Sequence, residues 1–222
     1  MKKNYKTYLG VFVLLTTNFI KRQTSRDLLS NVNKLEKNHI YFYNYITTKN
    51  CLKLNKEINI AAKYLMSNPE NFREQDKYIY IHINSYGGDI LSALSTVDTI
   101  INCPIPVVSI IEGGAASAAT LLSIVADYRM ITSNGFMLIH ELRSGMWGKL
   151  EYLEDKMMNL DLFMTTIKDI YKKNSKLNNR ELDLILKRDI WWDAEKCLKE
   201  GLIDEIIENK KLYKINKKNI NL

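Results

Sequence analysis

From residue 39 onward the chain alternates between short apolar runs and stretches in which apolar residues recur every three to four positions. The aromatic, β-branched run 40–46 predicts a strand, and 52–66 predicts a helix that Asn68-Pro69-Glu70-Asn71 breaks. Tyr78-Ile79-Tyr80-Ile81-His82-Ile83 lacks the alternation of a half-exposed strand and reads as a strand buried on both faces. Asn84-Ser85-Tyr86-Gly87-Gly88 turns out of it, and Asp89 opens a helix to about residue 101. Pro104 and Pro106 lead into a strand over 107–111, after which Gly113-Gly114 opens a small-residue helix over 115–125. Two short strands follow, near 128–131 and 136–140. This rhythm predicts an α/β fold with a mostly parallel sheet.

After Gly148 the period changes. Leu150, Leu153, Met157, Leu160, Phe163, Met164, Ile167, Ile170 and Tyr171 mark one amphipathic helix over 150–173, ending at Lys173. It is longer than a domain of this size needs, so it either spans the body or docks on another subunit. Asn178-Asn179-Arg180-Glu181 caps a shorter helix into Lys187, and Asp193 caps one that Gly201 ends before a strand over 203–207. At the N-terminus, the run 8–15 after Lys2 and Lys3 has the outline of a signal peptide. It is too short to span a bilayer and no small-residue cleavage site follows, so an ordered strand or a segment packing on a partner is the expectation.

Charge changes the picture only once it is located. The formal net charge is +7, but residues 1–26 carry six Lys and Arg and no acid, and residues 209–222 carry five Lys and no acid. The body between them is mildly acidic, with no Lys/Arg stripe interleaved with aromatics, so nucleic acid is not an expected partner. We therefore divide the chain into a basic extension, 1–38, a domain, 39–208, and a basic tail, 209–222. Cys51, Cys103 and Cys197 form no CxxC pair, and His39, His82 and His140 are scattered. Neither a disulfide scaffold nor a structural zinc site is expected, and the thiols point to a reducing, cytoplasmic setting or an organelle lumen.

The chain has no GxxxxGK[ST] loop, GxGxxG, HExxH or GxSxG, which excludes the commonest phosphate-loop, dinucleotide, zincin and hydrolase-elbow chemistries in their usual form. What remains are two glycine-containing bends after strands, Ser85-Tyr86-Gly87-Gly88-Asp89 and Gly113-Gly114-Ala115-Ala116-Ser117-Ala118. Such bends bring backbone N–H groups close to a ligand, and Ser117 would sit in the first turn of a helix, where the dipole favours an anion. A serine among alanines reads equally as a packing residue. His140 closes an apolar run, as a general base or a satisfied core histidine. Asp189, ahead of Trp191-Trp192, is a buried orienting carboxylate or a turn residue. Ser, His and Asp at element ends are the parts of a nucleophilic triad, though spacing does not show that they meet.

Four ordered segments resemble the Clp protease proteolytic subunit. Ile83-Asn84-Ser85-Tyr86-Gly87-Gly88 is similar to its I-N-S-P-G-G turn, and Gly113-Gly114-Ala115-Ala116-Ser117-Ala118 to its G-M-A-A-S-M nucleophile motif. Leu138-Ile139-His140 resembles its M-I-H, and Lys187-Arg188-Asp189, Ala194-Glu195 and Gly201-Leu202-Ile203-Asp204 its closing pattern. The resemblance implies a crotonase-like α/β fold with mostly parallel sheet layers and a projecting handle helix. It implies Ser117 as nucleophile, His140 as base and Asp189 as its orienting partner. Gly88 and Ala118 would supply oxyanion N–H groups beside Gly87, with no cofactor or metal. It further implies stacked rings joined through the helix 150–173, with unfolded polypeptide fed in by an AAA+ ATPase, and no membrane partner.

Several positions depart from that pattern. Tyr86 and Leu142 replace prolines, Ala118-Ala119 replaces Met-Gly, and Ser117 and His140 stand two residues closer than is usual. Lys187 replaces an acid that pairs across the ring, which leaves ring size open, and Met146-Trp147-Gly148 and Trp191-Trp192 are atypical. Three readings follow: a chambered serine peptidase, a noncatalytic ring or scaffold subunit, and a crotonase-like thioester enzyme. A Ser-Lys peptidase is set aside because neither Lys77 nor Lys149 lies in a resembling motif.

Overall fold

The computed structural model describes residues 38–72 and 77–208; both basic ends, and the expectations made for them, lie outside the described residues. In chain order the elements are β1 (His39–Phe42), α1 (Thr48–Ser67), a 3-10 turn (Pro69–Asn71), β2 (Ile79–Ser85), α2 (Ile90–Ile101), β3 (Val107–Ala116), α3 (Ala118–Ile124) and β4 (Tyr128–Thr132). They continue with β5 (Phe136–Leu138), α4 (Leu150–Asn174), α5 (Asn179–Leu186), β6 (Trp191–Asp193), α6 (Ala194–Lys199) and β7 (Glu205–Ile207). Local rules set many boundaries. Asp89 caps α2 by accepting from the Ser92 N–H at 2.7 Å, and Asp193 caps α6 by accepting from Lys196 at 2.8 Å. Asn178 and Glu181 close a reciprocal capping box on α5.

The strands form one sheet ordered β1-β2-β3-β4-β7, parallel throughout that path. β2 is buried from Ile79 through Ile83, as its unbroken apolar run predicts. The larger core, including Ile81, Leu54, Ile58, Val97 and Leu121, lies between the sheet and α1–α3, while Tyr80, Ile110, Tyr128 and Met130 form a smaller cluster. Cys51 and Cys197 pack as small hydrophobes, and burial pushes the Cys197 thiol up to about 12.

Local expectations change at β3 and at β6. β3 does not stop at residue 111: it leaves β4, runs through Gly113-Gly114 and pairs Gly114–Ala116 with Phe136–Leu138 of β5. The small-residue helix therefore starts at Ala118, and Ser117 precedes its first turn as N-cap. β6, read from sequence only as residues ahead of a helix, adds antiparallel to β5. The helix α4 projects, as one of the two readings of its length expected: of its apolar stripe only Ile167 and Tyr171 are buried. Leu150, Tyr152, Met157, Met158 and Leu162 face solvent, so this helix of about 37 Å packs on the body mainly by its C-terminal turns.

Candidate active site

The switch of β3 from β4 to β5 opens a crevice at the carboxyl ends of the strands, where open α/β sheets place ligands. Ser117 lies there with φ 56° and ψ −130°, the sole non-glycine residue at positive φ among the described residues. Such a conformation costs about 1–3 kcal/mol and persists where surroundings enforce it. Here the Ser117 N–H donates to the Leu138 carbonyl at 2.8 Å. Its own carbonyl accepts from the Thr120 N–H at 3.0 Å and the Thr120 Oγ1–H at 2.5 Å. Thr120 Oγ1 in turn meets the Tyr171 hydroxyl of α4. The serine side chain makes no capping bond. A sharp strand–Ser–helix turn with a free hydroxyl is the local geometry of an exposed nucleophile.

The first glycine bend lies against this turn. The Ile46 N–H donates to the Gly87 carbonyl at 2.8 Å and the Asp89 N–H to the Ile46 carbonyl at 3.0 Å. In a parallel ladder this leaves the Gly88 N–H turned away from Ile46. Gly87 has φ +88°, and a Cβ there would stand 2.6 Å from the Ala116 carbonyl oxygen and 2.8 Å from Ser117 Cβ. A Cβ on Gly88 would come within 2.2 Å of the Ile46 oxygen. The Ala118 N–H opens α3 and belongs to the first-turn donors that a helix leaves unpaired.

His140 follows β5 by two residues, since the strand ends at Leu138 rather than reaching the histidine. Its Nδ1 stands 3.3 Å from Asp189 Oδ1. Of the two readings of Asp189, buried carboxylate or turn residue, burial does not hold: its side chain is 54% accessible and that of His140 12%. Asp189 lies in the short link between α5 and β6. Its second oxygen is held by Arg143 Nη2, a contact the sequence did not suggest. Burial, and then the Arg143 charge, push the His140 imidazole below its ordinary value, with Asp189 and Glu141 opposing. Ser117 and His140 thus follow the neighbouring strands β3 and β5 and His140 meets Asp189, but no hydrogen bond links Ser117 Oγ to His140 among the described residues.

Other side chains that the sequence left apart also meet. His39 Nδ1 and His82 Nε2 stand 2.9 Å apart, and His82 Nδ1 stands 2.9 Å from Glu112 Oε1. Tyr86 and Trp191 pack edge to face at 6.1 Å beside a cavity of about 540 Å³ that Asn84, Gly114 and Phe136 also line. Among the described residues, no three His, Cys, Asp or Glu side chains are grouped to hold a metal ion.

The family described as Clp protease matches residues 35–210. An ATP-dependent Clp protease proteolytic subunit of Deinococcus radiodurans is 30% identical over 152 residues, 68% of this chain and 73% of the relative. One from Streptococcus mutans is 33% identical over 144 residues, 63% of this chain and 74% of the relative. The fold is similar to that of a solved ClpP1 mutant from Listeria monocytogenes, with a TM-score of 0.68 at 20% identity, covering 80% of this chain and 95% of that one.

Proposed function

Since the chain belongs to the Clp protease family, we propose that it is a serine endopeptidase acting on unfolded polypeptides through Ser117, His140 and Asp189. The observation that carries this reading is the strained Ser117, its hydroxyl uncommitted, set between the Gly87-Gly88 bend and the first turn of α3.

In the proposed reaction Ser117 Oγ attacks the scissile carbonyl carbon while His140 Nε2 takes the hydroxyl proton. Negative charge on the tetrahedral oxygen is met by the N–H groups of Gly88 and Ala118. Gly87, whose missing side chain keeps the approach to Ser117 open, lies alongside the substrate backbone. His140 then gives its proton to the leaving amine, so the C–N bond breaks and an ester on Ser117 remains. Water, deprotonated by His140, attacks the ester; the bond from the acyl carbon to Ser117 Oγ breaks, His140 returns its proton to that oxygen, and the product leaves as a carboxylic acid. Asp189, on Nδ1, fixes the tautomer that leaves Nε2 for this work and stabilises the imidazolium. The Ser117–His140 hydrogen bond forms as substrate binds, because catalytic contacts are often open in apo structures and tighten in the complex.

The apolar side chains of Leu150, Tyr152, Met157, Met158 and Leu162 are suited to burial against a second copy. We take α4 as the contact between stacked rings that enclose the Ser117 sites. The 39–208 domain would be the ring-forming unit, with polypeptide supplied by a separate AAA+ ATPase. Among the described residues no helix is long and apolar enough to cross a membrane.

A noncatalytic ring subunit is the second reading, favoured by the absent Ser117–His140 bond and by the long contact between His140 and a half-exposed Asp189. Labelling with a fluorophosphonate probe, wild type beside Ser117→Ala, decides between them, with a fluorogenic peptide assay on the same samples. The peptidase reading expects labelling that the variant loses and turnover that falls about 10³-fold or more. An assembled wild-type oligomer that neither labels nor cleaves would establish the noncatalytic subunit.

A further inference from the structure

Asp189 is poorly held for a residue that must orient a histidine. It is half-exposed, its contact to His140 is long at 3.3 Å, and it sits in a short link rather than in a helix or strand. Water competes for such a carboxylate, and a single long contact does not fix its rotation. The second oxygen, however, is taken by Arg143. Arg143 directly follows two residues whose backbone is tied to neighbouring helices. The Glu141 N–H donates to the Leu186 carbonyl at the end of α5 at 2.8 Å, and the Leu142 N–H points to Met164 Sδ of α4 at 3.4 Å. The backbone at 141–142, which leads into Arg143, and the end of α5, from which Asp189 follows, are therefore held in one register, while both side chains of the pair reach solvent.

We infer that Arg143 is a positioning residue: it clamps one oxygen of Asp189 so that the other stays turned toward His140 Nδ1. The inference rests on the peptidase reading for its consequence in catalysis, but not for the contact itself. Arg143 has a second effect through its charge. The charged groups around His140 are Arg143, Asp189 and Glu141; the arginine opposes imidazolium formation and the two acids favour it. A general base must be neutral, so holding His140 below its ordinary value extends activity to lower pH. Removing Arg143 raises the imidazole, and over the pH range just below the ordinary histidine value more of the enzyme becomes protonated and idle.

The test compares wild type, Arg143→Gln and Arg143→Lys as folded oligomers. The His140 Nδ1–H resonance and titration midpoint are read by NMR on 15N-histidine-labelled protein, and kcat/KM against a fluorogenic peptide is followed across pH. Arg143→Gln is expected to weaken or lose the low-field Nδ1–H signal and to move the midpoint and the acid limb of kcat/KM upward. Its plateau should fall about tenfold, the scale of loss when a catalytic group is slightly misplaced. Arg143→Lys should restore the midpoint, because the charge returns, but only part of the plateau, because an ammonium lacks the planar fork. An unchanged Nδ1–H signal and midpoint in Arg143→Gln would overturn the inference, as would a plateau equal to or above wild type. If the NMR changes appear while the wild type neither cleaves peptide nor labels with the probe, the positioning role stands and the peptidase reading falls.

Discussion

The hydrogen-bond chain from α4 to the Ser117 turn can be tested by stability alone. Thr120 and Tyr171 are both buried, and Thr120 Oγ1 carries one proton. That proton goes to the Ser117 carbonyl at 2.5 Å, so the Tyr171 hydroxyl must be the donor to Thr120 Oγ1. Burial drives the Tyr171 phenol well above its ordinary value, which keeps it a donor at any working pH. The direction of the chain makes the two deletions unequal. Tyr171→Phe removes a donor and orphans no N–H or O–H group, so it should cost about 1 kcal/mol. Thr120→Val nearly conserves volume but strips the buried tyrosine O–H of its acceptor and the Ser117 carbonyl of one donor. The lost bond and the stranded hydroxyl together should cost about 2–4 kcal/mol. In the double variant the stranded group is gone, so Thr120→Val/Tyr171→Phe should be more stable than Thr120→Val alone. Urea midpoints at one fixed protein concentration, with unchanged slope, measure all three. Tyr171→Phe costing as much as Thr120→Val, or a double variant costing the sum, would refute the assigned direction.

Further outcomes follow from the same geometry. Ser117→Gly and Ser117→Ala both lose the hydroxyl, but glycine accepts φ 56° freely, so it should be the more stable by about 1 kcal/mol after its own unfolded-state entropy is counted; thermal unfolding of the pair checks this. Gly87→Ala should fold but lose about 100-fold or more in peptide turnover, because its Cβ would press on Ser117 Cβ and the Ala116 carbonyl. Arg129 donates to Asp204 from Nε and Nη2 and, through Nη1, to the carbonyls of Asn174 and Gly201, joining β4 to the end of α4 and the turn before β7. Arg129→Ala should cost about 2–3 kcal/mol in urea unfolding, less than a fully buried pair because Asp204 keeps access to water. Arg129→Lys should recover less than half, since it cannot span three partners.

What the sequence disclosed and what it concealed divide by the range of the interaction. The doubly buried β2, the caps at Asp89, Asn178 and Asp193, and the length of α4 are set by residues within a few positions, and all were legible. β3 beyond residue 111 was not. Gly113-Gly114-Ala115-Ala116 has little strand propensity, and it is extended because β5, across about twenty residues of chain, and Ser85 of β2 pair with it. The strand β6 exists for the same reason. This nonlocal pairing also sets the site. Only because β3 continues to Ala116 does Ser117 become a strained junction instead of a helix residue, and only there does its N–H reach Leu138, two residues before His140. The motif resemblance marked Ser117, His140 and Asp189 without revealing how each is held. Tyr171 looked like one more apolar position on an amphipathic stripe, and Arg143 had no local signal at all, standing 46 residues from Asp189. The side chains named by type are those offering reactive atoms, whereas those that hold the geometry are ordinary residues whose role exists only after folding. The separation places the decisive measurements on Arg143, Thr120 and Tyr171 as much as on the serine.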